Sequence, residues 1–383
     1  MSSSLDLIVV KNTYFLSKQD LNMGKYQLFS KRMSGEVFQR VARQELKRFS
    51  IENFEFKGIF VGESLQKFKI AEHFIFFFAC IIRAIKMRVA GRKVRYLLAT
   101  DPQSSGVIAW LMSIILNSKL IVELNGNSGA RKTWSAFGTN WVGHLKYHYC
   151  QLVIPFIMRK SYAVKLLYPE QLAPFKIKVD HPNLTWFHEY VPISRLAPST
   201  NSANYILFLG MPWHVKGLDL LIKAFNKVCY AYDGHLMIVG YLSEDDRALI
   251  EKLIDGNEKI KVNPPVYYEE AQRFIHHCDF LVLPSRTEAM GRVLLEAMAH
   301  AKAVIGSSAD GIPSYLINGD YGLIFENCDI DDLANKLLYM FKNPEEKKRF
   351  AENGRQAAIS KYSEQAYLSN YLRLMKFEEA NDI

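Results

Sequence analysis

From residue 5 onward, short uninterrupted apolar runs alternate with longer stretches in which apolar positions recur every three or four residues. The short runs read as buried strands and the longer stretches as helices, the signature of βαβ units around a parallel sheet. Strands are predicted at 5–10, 58–61, 96–100, 119–123 and 162–164. The Ser-, Pro- and Asn-rich stretch 194–203 (SRLAPSTNSA) interrupts the pattern and reads as a linker. The alternation then restarts, with strands predicted at 205–209, 236–239, 260–262, 280–283 and 303–306 and helices such as 218–230 and 269–276 between them. The expected fold class is α/β, with two tandem Rossmann-like doubly wound domains over 1–195 and 204–360. Ligands bind such sheets outside the carboxyl ends of the strands.

Two apolar stretches exceed what a strand needs. In 70–87 (IAEHFIFFFACIIRAIKM) the uncharged run is only Phe74 to Ile82, and 106–116 (GVIAWLMSIIL) is shorter than a membrane span of about 20 apolar residues. The second reads as a buried crossover helix. The amino-terminal residues lack the basic region and apolar run of a secretory signal, so the chain is expected in the cytoplasm.

Length and composition refine this picture. At 383 residues, with 49% hydrophobic and 23% charged residues, the chain has material for two or three ordinary globular domains. The net charge of +9 is unevenly spread: residues 1–200 hold 28 basic and 13 acidic side chains, and 201–383 hold 20 and 26. The basic half suggests a surface that meets phosphate. The five cysteines form no CxxC pair, so neither a zinc knuckle nor a disulfide framework is expected.

The strongest chemical signal is PSRTEAMGRVLLEAMA at 284–299. A buried strand ends, a loop carries Glu288, and a helix starts near Gly291 with Glu296 on its second turn. Backbone N–H groups at Ala289, Met290, Gly291 and Arg292 would point out of the helix start, where the positive dipole end favours a phosphate. Gly291 lets that phosphate approach the backbone. Glu296 lies about 12 Å beyond Glu288 along the chain path, the span from a sugar across a diphosphate to a ribose.

This segment resembles the E-x7-E element of the retaining glycosyltransferase family 4 (glycosyltransferase group 1), which has the glycosyltransferase-B fold. The resemblance runs through 203–375 and includes FLG at 208–210, Lys216-Gly217, IVG at 238–240, CDFLVLPS at 278–285, GIP at 311–313 and NGDYGL at 318–323. It implies that Glu288 contacts the transferred sugar and that Glu296 holds the ribose hydroxyls. Lys216, beside Gly210, would neutralise the donor diphosphate. Relatives often add an arginine near this lysine. Here the loop is GMPWHVK, so His214, Arg292 or Arg286 is left to supply a second charge, or none does.

The first domain matches less closely. TDPQSSG at 100–106 and LIVELNG at 120–126 look like the family's acceptor-side strand and loop, with Asn125 where relatives frequently have a histidine. Asn125 can hydrogen-bond but cannot act as a base. The glycine-rich loop usual after the first strand is absent from 11–24, where Gly24 is a weak candidate. The resemblance implies a hexose-type transfer from a nucleoside-diphosphate sugar to a glycan or polyprenyl-linked acceptor in cell-surface polysaccharide synthesis, without a metal or other cofactor. It also implies that a carboxy-terminal helix in 361–383 packs back on the first domain. A nucleotide-sugar epimerase of the same fold and a non-catalytic scaffold subunit remain open alternatives.

Other features read plainly. DIDD at 329–332 has a metal-binding form but opens a helix, where acids serve as caps. His144 and His148 stand four apart without the glutamate of a zinc site. In 57–95, Lys67, Lys69, Arg83, Lys86, Arg88, Arg92, Lys93 and Arg95 flank the Phe-rich run. That composition suits either an interfacial helix on anionic lipid, at the inner face of the cytoplasmic membrane, or a core helix with a solvated basic end. Nucleic acid is not an expected partner, since no recognition motif accompanies the basic residues.

Overall fold

The computed structural model describes residues 5–15, 23–41, 43–60, 69–129, 141–176, 178, 180–199 and 202–377. Two compact units emerge from the packing: Met1–Leu166 with Leu172–Phe187 and Leu368–Ile383, and Leu167–Gln171 with His188–Tyr367.

The first unit contains β1 (Leu5–Phe15), α1 (Met23–Ser30), β2 (Gly35–Val41), β3 (Arg48–Ile51), β4 (Phe54–Phe60), α2 (Lys69–Val89), β5 (Val94–Ala99), α3 (Ser105–Leu116), β6 (Lys119–Glu123), α4 (Trp141–Lys160), β7 (Ala163–Leu166) and β8 (Leu184–Trp186). The sheet order is β3-β4-β2-β1-β5-β6-β7-β8, parallel throughout except for the β3–β4 hairpin. From β4 the crossovers through α2, α3 and α4 all run toward the β8 edge, whereas α1 runs the other way. Right-handed crossovers in one direction place their helices on one face of the sheet. Phe76, Cys80 and Met87 of α2, Met112 of α3 and Ile157 of α4 accordingly share one core with Ile8, Leu97 and Val122 of the strands.

The second unit contains β9 (Tyr205–Leu209), α5 (Leu218–Val228), β10 (His235–Val239), α6 (Glu244–Ile254), β11 (Ile260–Asn263), α7 (Tyr268–His277), β12 (Phe280–Leu283), α8 (Arg292–Ala299), β13 (Ala303–Ser307), β14 (Leu323–Phe325), α9 (Ile330–Lys342) and α10 (Pro344–Lys361). Its all-parallel sheet has the order β11-β10-β9-β12-β13-β14. A last helix, α11 (Glu364–Met375), begins in this unit and ends in the first, where Tyr371 packs edge-on to Phe29 of α1 with ring centroids 5.0 Å apart.

Several elements depart from the sequence expectation. β2 was not predicted because its buried face includes Glu36, Gln39 and Arg40. Glu36 and Arg40 are paired, Arg92 with Glu36 at 3.0 Å and Arg40 with Glu72 at 3.3 Å, and Arg40 also donates to the Asn12 carbonyl at 2.9 Å, whereas the Gln39 side-chain amide makes no hydrogen bond among the described residues. The second unit takes in 188–199. Val191 N donates to Tyr362 O at 2.9 Å and Arg355 donates to Leu196 O at 2.9 Å, so much of the Ser- and Pro-rich stretch is tied down. Asp329 caps α9, its carboxylate accepting from Asp331 N and Asp332 N, both at 2.9 Å. Residue 61 of the 58–61 strand, residues 16–22 of the first loop and Lys67 lie outside the described residues. Among the described residues no helix is long and apolar enough to cross a membrane.

Candidate active site

In the second sheet the chain builds outward from β9 to β11, then returns to lay β12 against the other side of β9. The loops leaving β9 and β12 therefore diverge from neighbouring strands, which opens the ligand crevice of a doubly wound sheet at their carboxyl ends. These loops carry Lys216 and Glu288.

The two loops are stitched together. Arg286 N donates to Val215 O at 2.9 Å, and its guanidinium donates to His214 O at 2.7 Å. The same guanidinium grips Asp219 through two bonds of 2.8 and 2.7 Å. Burial alone would raise the Asp219 carboxyl, but these bonds hold it below the usual carboxylate range. Gly217 lies at φ +71°, and a Cβ there would stand 2.0 Å from the Pro284 carbonyl oxygen. Only glycine allows the loops to approach this closely.

A direct test compares Gly217→Ala with Gly256→Ala. Both positions have φ +71°, but nothing lies within 4 Å of a Cβ at Gly256. Each substitution is expected to cost about 1–2 kcal/mol for the left-handed backbone. Gly217→Ala adds the collision and should lose clearly more in urea unfolding; equal losses would contradict the close approach.

Within this frame Lys216 Nζ donates to Glu288 Oε2, which also accepts from Ser285 Oγ at 3.2 Å. A Cβ on Gly210 would lie 3.3 Å from Lys216 Cγ, so the lysine stem runs along the open side of that glycine. Glu288 is held from behind: its N–H donates to Asp310 Oδ2 at 2.9 Å, and its carbonyl accepts from Gly311 N at 3.0 Å. Thr287 Oγ1 also donates to Asp310, at 2.6 Å. Asp310 and Asp219 were not singled out from sequence, where each is an ordinary acid beside a glycine or leucine.

Gly291, at φ +71°, precedes α8, and among the described residues the backbone N–H groups of Ala289, Met290 and Gly291 make no hydrogen bond. The Met290 side chain is buried in the core, so that residue offers only its backbone. Glu296, one turn into α8, pairs with Arg292 Nε at 3.1 Å and accepts from Gln272 Nε2 at 3.1 Å. Burial raises its pKa. Of the three candidates for a second charge, Arg286 is committed to Asp219 and Arg292 to Glu296. His214 is exposed and pairs with no carboxylate among the described residues.

Asn125 belongs to the first unit, just beyond the carboxyl end of β6. Its Nδ2 donates to Thr100 O at 3.1 Å and to Glu123 Oε2 at 2.8 Å. Both partners can only accept, so they fix which end of the amide is nitrogen and leave Oδ1 as a hydrogen-bond acceptor. Glu123 is buried and also accepts from Lys25 Nζ at 2.6 Å and from the Tyr371 hydroxyl. Gly24, the weak glycine candidate, lies in α1 beside Lys25.

Residues 195–357 match the family model for glycosyl transferases group 1. An uncharacterised glycosyltransferase of Methanocaldococcus jannaschii is 33% identical over 159 residues, covering 40% of this chain and 42% of that protein. The matched region thus spans less than half the length of that curated relative. Among solved structures, Anabaena HepE in complex with UDP and glucose superposes with a TM-score of 0.71 at 12% identity, over 97% of this chain and 99% of the other. WaaG, a glycosyltransferase involved in lipopolysaccharide biosynthesis, superposes with a TM-score of 0.68 at 15% identity, over 97% and 100%. Over residues 195–357 the chain is thus similar to the glycosyl transferases group 1 family, and its α/β fold with two parallel-dominated sheets is the glycosyltransferase-B fold.

Proposed function

We propose that the chain is a retaining glycosyltransferase that moves a hexose-type sugar from a nucleoside-diphosphate sugar to a glycan or polyprenyl-linked acceptor, in surface polysaccharide assembly at the inner face of the cytoplasmic membrane. The observation that carries this reading is the Lys216–Glu288 contact at the strand switch point, beside the N–H groups of Ala289, Met290 and Gly291, which make no hydrogen bond among the described residues.

In this reading the ammonium of Lys216 and the amino-terminal end of α8 take the donor diphosphate, spreading the charge that develops as it leaves. Glu288 turns from Lys216 to the sugar. Glu296 accepts hydrogen bonds from the vicinal ribose hydroxyls, with Arg292 and Gln272 holding it in place. The acceptor hydroxyl attacks the anomeric carbon on the face the diphosphate leaves, and a donor phosphate oxygen takes its proton. That route requires no enzymatic base, which agrees with an asparagine at 125. Asn125 Oδ1 serves as an acceptor for a hydroxyl. HepE with bound UDP and glucose, and the lipopolysaccharide role of WaaG, support the donor class and the setting.

The test is a thermal-shift screen of UDP-, GDP- and ADP-sugars. One nucleoside class should stabilise the protein by about 2.7 kcal/mol at 100 times its dissociation constant. Transfer from that donor to a lipid-linked glycan acceptor should retain the anomeric configuration. No shift with any sugar nucleotide, or epimerised donor with no acceptor present, would overturn the reading.

A further inference from the structure

α2 and α4 are apolar on both sides. Phe76, Cys80, Ala84 and Met87 bury one side of α2 in the core, yet Phe74, Phe78, Ile82, Ile85 and Val89 form a second stripe at spacings of four, four, three and four that faces solvent. The stripe is well exposed, with Phe78 at 57% and Val89 at 83%. α4 repeats the arrangement: Ile154 and Ile157 are buried, while Trp141, Leu145, Tyr149, Leu152 and Phe156 form an exposed stripe with the same spacings of four, four, three and four. Between them α3, which packs against both, exposes Ile114. Because all three helices cover one face of the sheet, their outward stripes look the same way. A contiguous apolar layer of this kind is far beyond the scattered exposed residues of an ordinary surface.

The charges on this layer have one sign. α4 contains Lys146, Arg159 and Lys160 and no acid, and α3 contains no charged residue. α2 contains Lys69, Arg83, Lys86 and Arg88 against a single acid, Glu72, which is buried and paired with Arg40. Lys86, Arg88, Lys146, Arg159 and Lys160 are exposed. Two copies of this layer would meet cation against cation. A bilayer with anionic headgroups complements it in both respects, taking the apolar stripes among its acyl chains, Trp141 and Tyr149 at the interface, and the cations on its phosphates.

We propose that the α2–α3–α4 layer is a docking face for an anionic lipid bilayer, with the helix axes lying along the membrane plane. This deepens the transferase reading, on which its biological sense rests, but lipid binding and donor binding are separate measurements and each can fail alone. The test is flotation of the full chain with vesicles of phosphatidylcholine alone and of equal parts phosphatidylcholine and phosphatidylglycerol, at low and high salt. Binding should require phosphatidylglycerol and weaken with salt. Phe78→Glu and Leu145→Glu should each lower partitioning about tenfold or more, since each places an anion against the bilayer in exchange for an apolar contact. Lys86→Glu combined with Arg88→Glu, which leaves the apolar packing alone, should do the same. All variants should keep the parent's melting temperature and donor-induced shift.

Absence of wild-type binding to anionic vesicles at low salt, or unchanged binding in all three variants, overturns the proposal. So does a wild-type dimer that Phe78→Glu dissociates while vesicle binding persists, because the layer would then belong to a second copy. Vesicle binding without any nucleotide-sugar shift would leave the docking face standing and remove the transferase reading.

Discussion

Lys216→Ala is expected to lower kcat/KM for sugar transfer about 10²–10³-fold, the usual loss when one preorganised group opposite developing charge is removed. The size follows from position. The Lys216 and Glu288 side chains are mostly shielded from water, so the ammonium acts in a weakly screened setting, and the Arg286–Asp219 pair fixes the loop that carries it. Neither neighbouring arginine can substitute without breaking its own ion pair. A diphosphate-specific role predicts that the variant loses affinity for a nucleoside diphosphate while binding a nucleoside monophosphate nearly as well as the parent. Because Lys216 and Glu288 touch, their effects should not add: the double variant Lys216→Ala, Glu288→Ala should be less impaired than the product of the single losses. Unchanged kcat/KM in Lys216→Ala would remove the lysine from the reaction.

Glu123→Ala is expected to destabilise the first unit by about 3–5 kcal/mol, the cost of removing one partner from a buried ion pair. Glu123 is only 1% exposed, and its carboxylate gathers Lys25, the Tyr371 hydroxyl and the Asn125 amide. Lys25 also lies 4.9 Å from the Tyr371 ring centroid, so the charge has little water to fall back on. For a unit of this size the loss corresponds to a fall in Tm of roughly 6–20 °C. Glu123→Gln, which keeps an acceptor oxygen, should lose less. Calorimetry of the two variants checks this, and a Tm within a degree of the parent for Glu123→Ala would show that the carboxylate is dispensable.

The second unit was the more legible from sequence. Its strands β9 and β12 are short apolar runs that begin and end where the pattern placed them, since their residues pack into the core. The E-x7-E segment then fell on the strand, loop and helix that its glycine and acids suggested. The first unit hid more. β2 buries a glutamate, a glutamine and an arginine that composition assigns to solvent. Glu123 and Tyr371 stand 248 residues apart, and nothing local in either segment announces that one carboxylate will join them. Helix α4 escaped notice for a different reason. Its apolar residues run around both sides, so the sequence shows no amphipathic period, and only the tertiary structure separates the buried side from the exposed one.

The clamp on Asn125 bears on selectivity. An amide ordinarily donates and accepts, and so tolerates either kind of partner. In the proposed reaction, with both N–H bonds spent on Thr100 and Glu123, this one would distinguish a free hydroxyl from the same oxygen capped by a methyl group: the ether keeps the shape and loses the hydrogen that Oδ1 would receive. Under that reading a buried carboxylate two residues away would make an exposed asparagine a sensor of whether a hydroxyl is still free to react.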